Sequence, residues 1–150
     1  MRSSERLPQD FQSYQQRIEA ELKEIIGSNP LTFSGILRYH MGWQDEQGCP
    51  YHGETGKFVR PLLSFMCWLA TWGDAVRIMP AAAALELIHN FSLIHDDIQD
   101  ASCERHHRPT VWKIWGQSQA INAGDDMFAL AFSAVFKLRY NGINEQKIVT

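Results

Sequence analysis

Several features that define common protein classes are absent from this 150-residue sequence. No apolar run approaches the roughly 18 residues of a bilayer-spanning helix, and no charged and apolar leader opens the chain. The three cysteines, Cys49, Cys67 and Cys103, form no C-x-x-C pair, which argues against a disulfide framework or a zinc site. The net charge of −3 gives no reason to expect nucleic acid as a partner. We therefore expect a cytoplasmic protein without a membrane span.

Patterns typical of β-strands are also missing, because no segment sustains an alternation of period two. Asp10 is predicted to cap a helix whose apolar residues recur at three- and four-residue steps, namely Phe11, Tyr14, Ile18, Leu22 and Ile25. Further helices are predicted over 31–40, 60–72, 80–100, 110–115 and 118–140. In the last of these, the expected core residues are Ile121, Phe128, Phe132, Val135 and Phe136. The sequence predicts one all-α domain, a helical bundle.

The most informative segment is the acidic end of an apolar stretch, Leu93-Ile94-His95-Asp96-Asp97-Ile98-Gln99-Asp100. On a helix, Asp96 and Asp100 point the same way, Asp97 lies one position round, and His89 lies two turns earlier on almost the same line. Carboxylates this close repel one another unless a cation lies between them, so the pattern indicates a divalent metal site. Oxygen ligands favour Mg²⁺. The alternative interpretation is a solvated helix end.

Two basic segments flank these aspartates. Upstream, Gly56-Lys57-Phe58-Val59-Arg60-Pro61 places two cations three residues apart, a combination that suits a diphosphate. Downstream, Arg105-His106-His107-Arg108-Pro109-Thr110 forms a second cationic cluster. A metal-bound diphosphate requires this kind of neutralisation by carboxylates, metal and side-chain cations.

In order and spacing, these segments resemble motifs of the trans-isoprenyl diphosphate synthases, also called polyprenyl synthetases. The family pattern is G-K-x-x-R-P, then I-H-x-x-S-L-I-H-D-D-x-x-D, then R-R-x-x-P-T, and the chain follows it at 56–61, 88–100 and 105–110. A fourth match, A-I-N-x-G-D, lies at 120–125. The resemblance implies the all-α isoprenoid synthase fold, with this chain as its N-terminal half.

The resemblance also implies a role for each motif residue. Lys57, Arg60 and His89 would hold the diphosphate of isopentenyl diphosphate. The aspartates Asp96, Asp97 and Asp100 would bind Mg²⁺ on an allylic diphosphate, which Arg105 would contact. The implied chemistry is ionisation of the allylic C–O bond, attack by the isopentenyl double bond and loss of a proton. Mg²⁺ would stabilise charge on the leaving group, and apolar helices would keep water from the carbocation.

Two departures from the family pattern keep alternatives open. His106 stands where the family usually has a second Arg that contacts isopentenyl diphosphate, and a partly charged imidazole is a weaker phosphate ligand. In addition, no second D-D-x-x-D follows Asp126, although family members are usually longer and carry one. We therefore expect a chain truncated on its C-terminal side. The alternatives are a terpene cyclase on the same scaffold and a non-catalytic subunit that binds a prenyl diphosphate within a larger synthase.

Two further expectations concern product length and assembly. Phe91 lies five residues before Asp96, a position that in the family often limits the growing chain, and bulky Phe91 beside small Ser92 implies a product of farnesyl to geranylgeranyl length. Core packing explains Phe91 equally well. Because a truncated bundle exposes apolar faces, we expect a homodimer, or association with a C-terminal half or a partner synthase.

Overall fold

The computed structural model describes residues 6–27, 33–51, 58–72 and 76–143. Its helices are α1 (Arg6–Gly27), α2 (Ser34–His40), α3 (Val59–Trp72), α4 (Met79–Gln99), α5 (Val111–Trp115) and α6 (Gln117–Phe136). Short 3₁₀ helices precede α4 (Val76–Ile78) and follow α6 (Lys137–Asn141), and two-residue strands β1 (Glu104–Arg105) and β2 (Arg108–Pro109) lie between α4 and α5. The predicted all-α class is confirmed.

Helix α1 follows the predicted apolar stripe but starts earlier than expected. Ile18, Leu22 and Ile25 are buried, and Tyr14 packs against the same core. The prediction that Asp10 caps the helix is wrong, because α1 begins at Arg6 and Asp10 lies within it. Pro8 is compatible with this earlier start, since a first-turn residue needs no N–H for an intrahelical bond.

Helices α4 and α6 pack closely along their lengths and form the centre of the bundle. Pro80 lies in the first turn of α4, as predicted. The buried face of α6 is made mainly of small residues, Ala120, Ala123, Gly124, Met127, Ala131 and Ala134. Gly124 leaves room for the His95 side chain of α4, because a Cβ atom at position 124 would overlap Nε2 of that ring. Small side chains therefore bring the acidic end of α4 against the first half of α6.

The predicted core of α6 is largely wrong, since its large apolar side chains face outward. Ile121, Phe128, Phe132 and Phe136 are 40–52% exposed, and Val135 alone of the predicted set packs against the core. The reason is geometric: α4 approaches too closely for phenylalanine, so alanine and glycine occupy the contact. The predicted helix over 118–140 also ends at Phe136 and continues as the 3₁₀ helix.

Helix α3 matches the predicted extent, and its described side chains are partly buried and partly exposed. Pro61 and Leu62 are buried, whereas Leu63 is 58% and Met66 is 47% exposed. Helix α3 packs on α4 and α1. In the described part of the chain, no helix is both long and apolar enough to cross a membrane.

Candidate functional site

Asp96 and Asp97 lie in the last turn of α4 and Asp100 caps the helix, a segment here called the aspartate turn. The three aspartates do not share one environment. Asp96 and Asp100 are exposed, and the backbone N–H of Asp100 donates to the carbonyl of Asp96 at 2.8 Å, which closes the helix. Asp97 is only 2% exposed and points into the protein. The structure therefore brings Asp96 and Asp100 to the surface together and turns Asp97 away from them.

Asp97 is held by Arg105. The guanidinium donates from Nε to both carboxylate oxygens, at 3.1 and 3.0 Å, and from Nη2 to Oδ1 at 2.8 Å. These bonds raise the pKa of Arg105, which stays charged in any case. An ion pair with several short hydrogen bonds fixes the orientation of the guanidinium plane as well as the position of its charge. Asp97 thus orients the arginine that, by the family resemblance, would contact the allylic diphosphate.

Arg105 reaches the aspartate turn from a β-hairpin that the sequence analysis did not predict. Strands β1 and β2 pair antiparallel, with Glu104 opposite Pro109 and Arg105 opposite Arg108. The two turn residues, His106 and His107, both have positive φ, at 50° and 59°. Positive φ at both turn residues is typical of the two-residue hairpin turn that usually has the sequence Asn-Gly, so His-His did not predict a hairpin. Two-residue strands are also too short to show alternation.

Arg108 anchors this hairpin to the end of α2 and to the segment that follows it. Its Nη1 donates to the carbonyl of Tyr39 at 2.9 Å, and its Nη2 donates to the carbonyl of Gln44 at 2.8 Å. The guanidinium also lies over two aromatic rings, 3.9 Å from the centroid of Tyr39 and 4.5 Å from that of Tyr51. The Tyr39 hydroxyl donates to the carbonyl of Pro109 at 2.8 Å. Arg108 and Tyr39 therefore fix the position of Arg105 and His106. The sequence placed Arg108 in the second cationic cluster without this role, and it did not single out Tyr39.

Beside the hairpin lies a cavity of about 70 Å³, here called the histidine pocket. Three predicted site residues, His89, Arg105 and His106, line it. The other lining residues are His40, Met41, Phe58, Glu86, Asn90 and Leu93. The predicted diphosphate ligands from α4 and from the hairpin thus converge on one cavity.

Of the other two predicted diphosphate ligands, the structure describes only Arg60. Arg60 is exposed in the first turn of α3, and Lys57 lies outside the described residues. Arg60 acts on the pocket electrostatically. Burial and the charge of Arg60 both lower the pKa of His89. For Glu86, the charge of Arg60 opposes the rise in pKa that burial causes. Arg60 is therefore close enough to contribute positive charge to the histidine pocket.

The inner wall of the pocket is a buried polar group that sequence reasoning missed. The Asn90 amide donates to the Glu86 carboxylate at 3.0 Å and to the Glu86 backbone carbonyl at 2.9 Å, and His40 lines the same pocket. Burial raises the pKa of Glu86. Burial, followed by the charge of Arg105, lowers the pKa of His40 to about 3. No sequence spacing links His40 on α2 to residues on α4, so only the fold could reveal this group.

The two predicted chain-length residues occupy different surroundings on α4. Phe91 is partly buried between α4 and α6, with its ring centroid 4.9 Å from that of Phe128 and 5.0 Å from that of His95. Phe132 continues this aromatic row beyond Phe128. Ser92 donates its hydroxyl to the carbonyl of His89 at 2.8 Å. Phe91 thus belongs to an apolar wall next to the aspartate turn.

Known proteins are similar to this chain both in sequence and in the arrangement of helices. The sequence profile of the family described as polyprenyl synthetase matches residues 47–149. The (2E,6E)-farnesyl diphosphate synthase of Mycobacterium bovis is 47% identical over 96 residues, which cover 64% of this chain and 27% of that protein. The geranylgeranyl diphosphate synthase of Mycobacterium tuberculosis is 42% identical over 110 residues, which cover 73% of this chain and 31% of that protein. The chain thus spans 27–31% of the length of these curated relatives.

Solved structures give the same result. The crystal structure of polyprenyl synthetase from Streptomyces coelicolor A3(2) superposes with a TM-score of 0.81 at 36% identity, over 92% of this chain and 41% of that chain. That of geranylgeranyl pyrophosphate synthetase from Pyrococcus horikoshii gives a TM-score of 0.77 at 34% identity, over 97% of this chain and 40% of that chain. Since the family profile also covers well over half of the sequence, the chain belongs to the polyprenyl synthetase family.

Proposed function

We propose that this chain forms part of an isoprenyl diphosphate synthase, a prenyltransferase that joins isopentenyl diphosphate to an allylic diphosphate. The allylic C–O bond breaks and diphosphate leaves; the isopentenyl double bond attacks the allylic carbocation, and a proton is lost. The observation that carries the proposal is the link between the histidine pocket and the aspartate turn through the Arg105–Asp97 pair. The farnesyl and geranylgeranyl diphosphate synthases among the relatives support it.

The histidine pocket suits the diphosphate of isopentenyl diphosphate. His89 and His106 offer ring nitrogens from two different elements, and Arg105 offers guanidinium N–H groups beyond those that bind Asp97. Arg60 adds charge at the start of α3, where Lys57 also belongs in sequence. Leu93 and Phe58 supply apolar surface for the substrate's short hydrocarbon part. This combination favours a small, branched diphosphate.

Asp96 and Asp100 are the residues that would hold Mg²⁺. Mg²⁺ is often bound by one or two carboxylates together with substrate phosphates, and these two are exposed one helical turn apart. Among the described residues, no three Asp, Glu, His or Cys side chains are grouped to hold a metal ion by themselves, so phosphate oxygens would complete the shell. When bound, Mg²⁺ would stabilise the negative charge that grows on the leaving diphosphate. Asp97 stays a predicted ligand; we assign it first to the positioning of Arg105.

Product length follows from the apolar wall beside the aspartate turn. A hydrocarbon chain that extends from an allylic diphosphate at Asp96 would meet Phe91 and then Phe128 along α4 and α6. A phenylalanine one and a half turns before the aspartates limits the depth of this path, whereas Ser92 leaves space beside it. We therefore propose products of farnesyl to geranylgeranyl length.

The outward face of α6 supports association with another polypeptide surface. Phe132 and Phe136 are each 52% exposed, and large apolar patches of this kind mark interaction sites. We propose that a second copy of the chain, a C-terminal half or a partner synthase covers this face, in a cytoplasmic enzyme.

The test is an incubation of the chain with isopentenyl diphosphate, farnesyl diphosphate and Mg²⁺, with products identified by mass spectrometry. Asp96→Asn and Asp100→Asn remove the exposed carboxylates without disturbing a buried pair. Glu24→Gln is a matched control, because Glu24 is an exposed carboxylate on α1 that pairs with Lys137, far from the aspartate turn in sequence. We expect elongated diphosphates from the wild type and from Glu24→Gln, and at least tenfold less from the two aspartate variants.

Other outcomes would replace the proposal by one of its alternatives. Hydrocarbon or alcohol formed from farnesyl diphosphate alone would identify a terpene cyclase. Binding of prenyl diphosphates without turnover, together with stimulation of a complete synthase, would identify a non-catalytic subunit. Neither binding nor turnover would refute a diphosphate site altogether.

A further inference from the structure

The hairpin places two arginines directly opposite each other. Arg105 and Arg108 are paired across β1 and β2, and like charges in this arrangement repel. Each guanidinium is stabilised by partners from a different part of the fold. Arg105 is held by Asp97 of α4, and Arg108 is held by the end of α2 and the segment after it. The hairpin thus joins two elements of the bundle through one cross-strand pair of arginines.

The segment after α2 forms a closed loop that offers two partners to Arg108. An isolated β-bridge joins Gln44 to Pro50, and Oδ1 of Asp45 accepts from two backbone N–H groups within the loop, at 3.0 and 2.7 Å. These bonds fix the loop 44–51 internally. It therefore presents the carbonyl of Gln44 and the ring of Tyr51 in a set geometry, and the Arg108 guanidinium donates to the first and lies over the second.

The hairpin depends on residues outside it for its shape. A two-stranded ladder this short is not stable by itself, and both turn residues have positive φ, which is unfavourable for residues other than glycine. Among the described residues, those that line the histidine pocket include Arg105 and His106 but not Arg108, Tyr39 or Tyr51. An effect of Arg108 on a ligand in the pocket must therefore be transmitted through the hairpin.

The Arg105 side chain is fixed at both of its ends. Asp97 holds Nε and Nη2 of the guanidinium, and within the described part of the chain Nη1 has no hydrogen-bond partner. The other end of the side chain is the hairpin backbone, which is anchored by Arg108 and by the bond from the Tyr39 hydroxyl to the carbonyl of Pro109. If this anchor is lost, the hairpin moves and Nη1 changes its direction, even where a bond to Asp97 persists.

We propose that Arg108 is a positioning residue: by tying the hairpin to the loop 44–51, it sets the direction of Nη1 of Arg105 and thereby the affinity for isopentenyl diphosphate. The inference rests on the proposed function, because it takes that substrate as the ligand. A guanidinium suits this role, since its planar fork donates to two carbonyls while its face lies over aromatic rings. Lysine keeps the charge but offers a single nitrogen in place of the fork.

The chain contains a matched control for Arg108. Arg77 donates from Nε to the carbonyl of Asn141 at 2.8 Å and from Nη2 to that of Gly142 at 2.9 Å, so it also joins two elements through two backbone carbonyls. Arg77 precedes the start of α4, whereas the hairpin follows the end of this 21-residue helix, which is about 30 Å long. Arg77→Met therefore removes a comparable anchor at the opposite end of α4.

The experiment is isothermal titration of the 150-residue chain with isopentenyl diphosphate in EDTA, which keeps metal-dependent binding at the aspartates out of the measurement. The variants are Arg108→Met, Arg108→Lys, the control Arg77→Met, and the pair Tyr51→Phe and Tyr51→Leu. Urea unfolding of each variant gives its folded fraction, so that affinities are compared for folded protein only. The Tyr51 ring is 40% exposed, so this pair tests the inference even where Arg108→Met fails to fold.

We expect Arg108→Met to weaken binding about tenfold and Arg108→Lys to weaken it about two- to fivefold, whereas Arg77→Met should bind within about twofold of the wild type. Tyr51→Phe keeps the ring over Arg108 and should bind like the wild type. Tyr51→Leu loses the ring and should bind about two- to fivefold more weakly. A purely structural role of Arg108 predicts no such recovery by the conservative variants.

Three results would overturn the inference and leave the proposed function standing. They are equal affinity of the wild type and Arg108→Met, equal losses of affinity in Arg108→Met and Arg77→Met, and equal affinity of the two Tyr51 variants. Absence of binding by the wild type would refute the proposed function itself, and the inference with it.

Discussion

We expect Asp97→Asn to destabilise the fold far more than Asp96→Asn, although the two carboxylates are adjacent in the chain. Asp97 is 2% exposed and accepts three hydrogen bonds from Arg105, whereas Asp96 is exposed. An amide presents N–H groups as well as an oxygen, and a guanidinium has only donors. Asparagine at 97 would therefore lose the charge of the pair and part of its hydrogen bonding, and Arg105 would remain without its counter-ion.

The magnitude follows from the burial of the two partners. Removal of one partner from a buried ion pair costs about 3–5 kcal/mol. Here the Asp97 side chain is 3% exposed but that of Arg105 is 30% exposed, so water screens part of the loss and we expect about 2–3 kcal/mol. Asp96→Asn should change the free energy of unfolding by less than about 0.5 kcal/mol. The expected difference in Tm between the variants is roughly 5–10 °C.

Urea unfolding followed by tryptophan fluorescence measures the stability of both variants, and titration with farnesyl diphosphate in the presence of Mg²⁺ measures the site. Asp96→Asn should keep its stability and lose at least about tenfold in Mg²⁺-dependent affinity. The main effect of Asp97→Asn should be a loss of stability. If both variants were equally stable and equally impaired in Mg²⁺-dependent binding, Asp97 would be a metal ligand like Asp96, and the assignment of Asp97 to Arg105 would be refuted.

Two further predictions test the pocket wall and the helix contact. Because the folded-state pKa of His40 lies near 3, below the unfolded value of about 6.5, the unfolded chain binds the extra proton. This contribution to stability is present above about pH 6.5 and falls by up to about 1.4 kcal/mol per pH unit as the pH drops toward 3. His40→Gln should remove this part of the pH dependence of the free energy of unfolding, measured with urea. The same pH dependence in the wild type and in His40→Gln would contradict the prediction. Gly124→Ala should destabilise the fold by about 1–3 kcal/mol, because its Cβ would overlap the His95 ring. The control is Gly35→Ala, whose Cβ would have its nearest neighbour at 3.6 Å and which should be neutral or stabilising. Thermal unfolding measures both variants.

Linear features of the chain were predictable. The helical period located α1, α3, α4 and the short α5, and Pro80 marked the start of α4, because these features depend on local spacing. The match of four motifs in order identified the family, and His89, Arg105 and His106 do line one cavity. Residues from segments that are distant in sequence could be assigned together only because the family pattern already links them.

Features that depend on contacts between segments were not predictable. Asn90 and Glu86 are hydrogen-bonded to each other and line the histidine pocket together with His40, yet each is unremarkable in its own segment. The hairpin was not predicted because its turn residues are histidines. Its anchor was not predictable either, because Arg108 donates to the backbone carbonyls of Tyr39 and Gln44, which do not depend on the side chain. Backbone acceptors can be supplied by any residue type.

Helix α6 illustrates why periodicity alone cannot say which face is buried. Its sequence carries two stripes, one of alanine and glycine and one of isoleucine and phenylalanine, and a hydrophobicity argument favours the larger side chains for the core. The fold reverses this choice because Gly124 and its neighbours permit α4 to approach closely, and that approach places His95 and the aspartate turn against α6. The phenylalanines are then left on the outside, where Phe128 and Phe132 extend the wall that begins at Phe91. The same close contact therefore positions the aspartates and creates the apolar surface on which the proposed chain-length limit and association both depend.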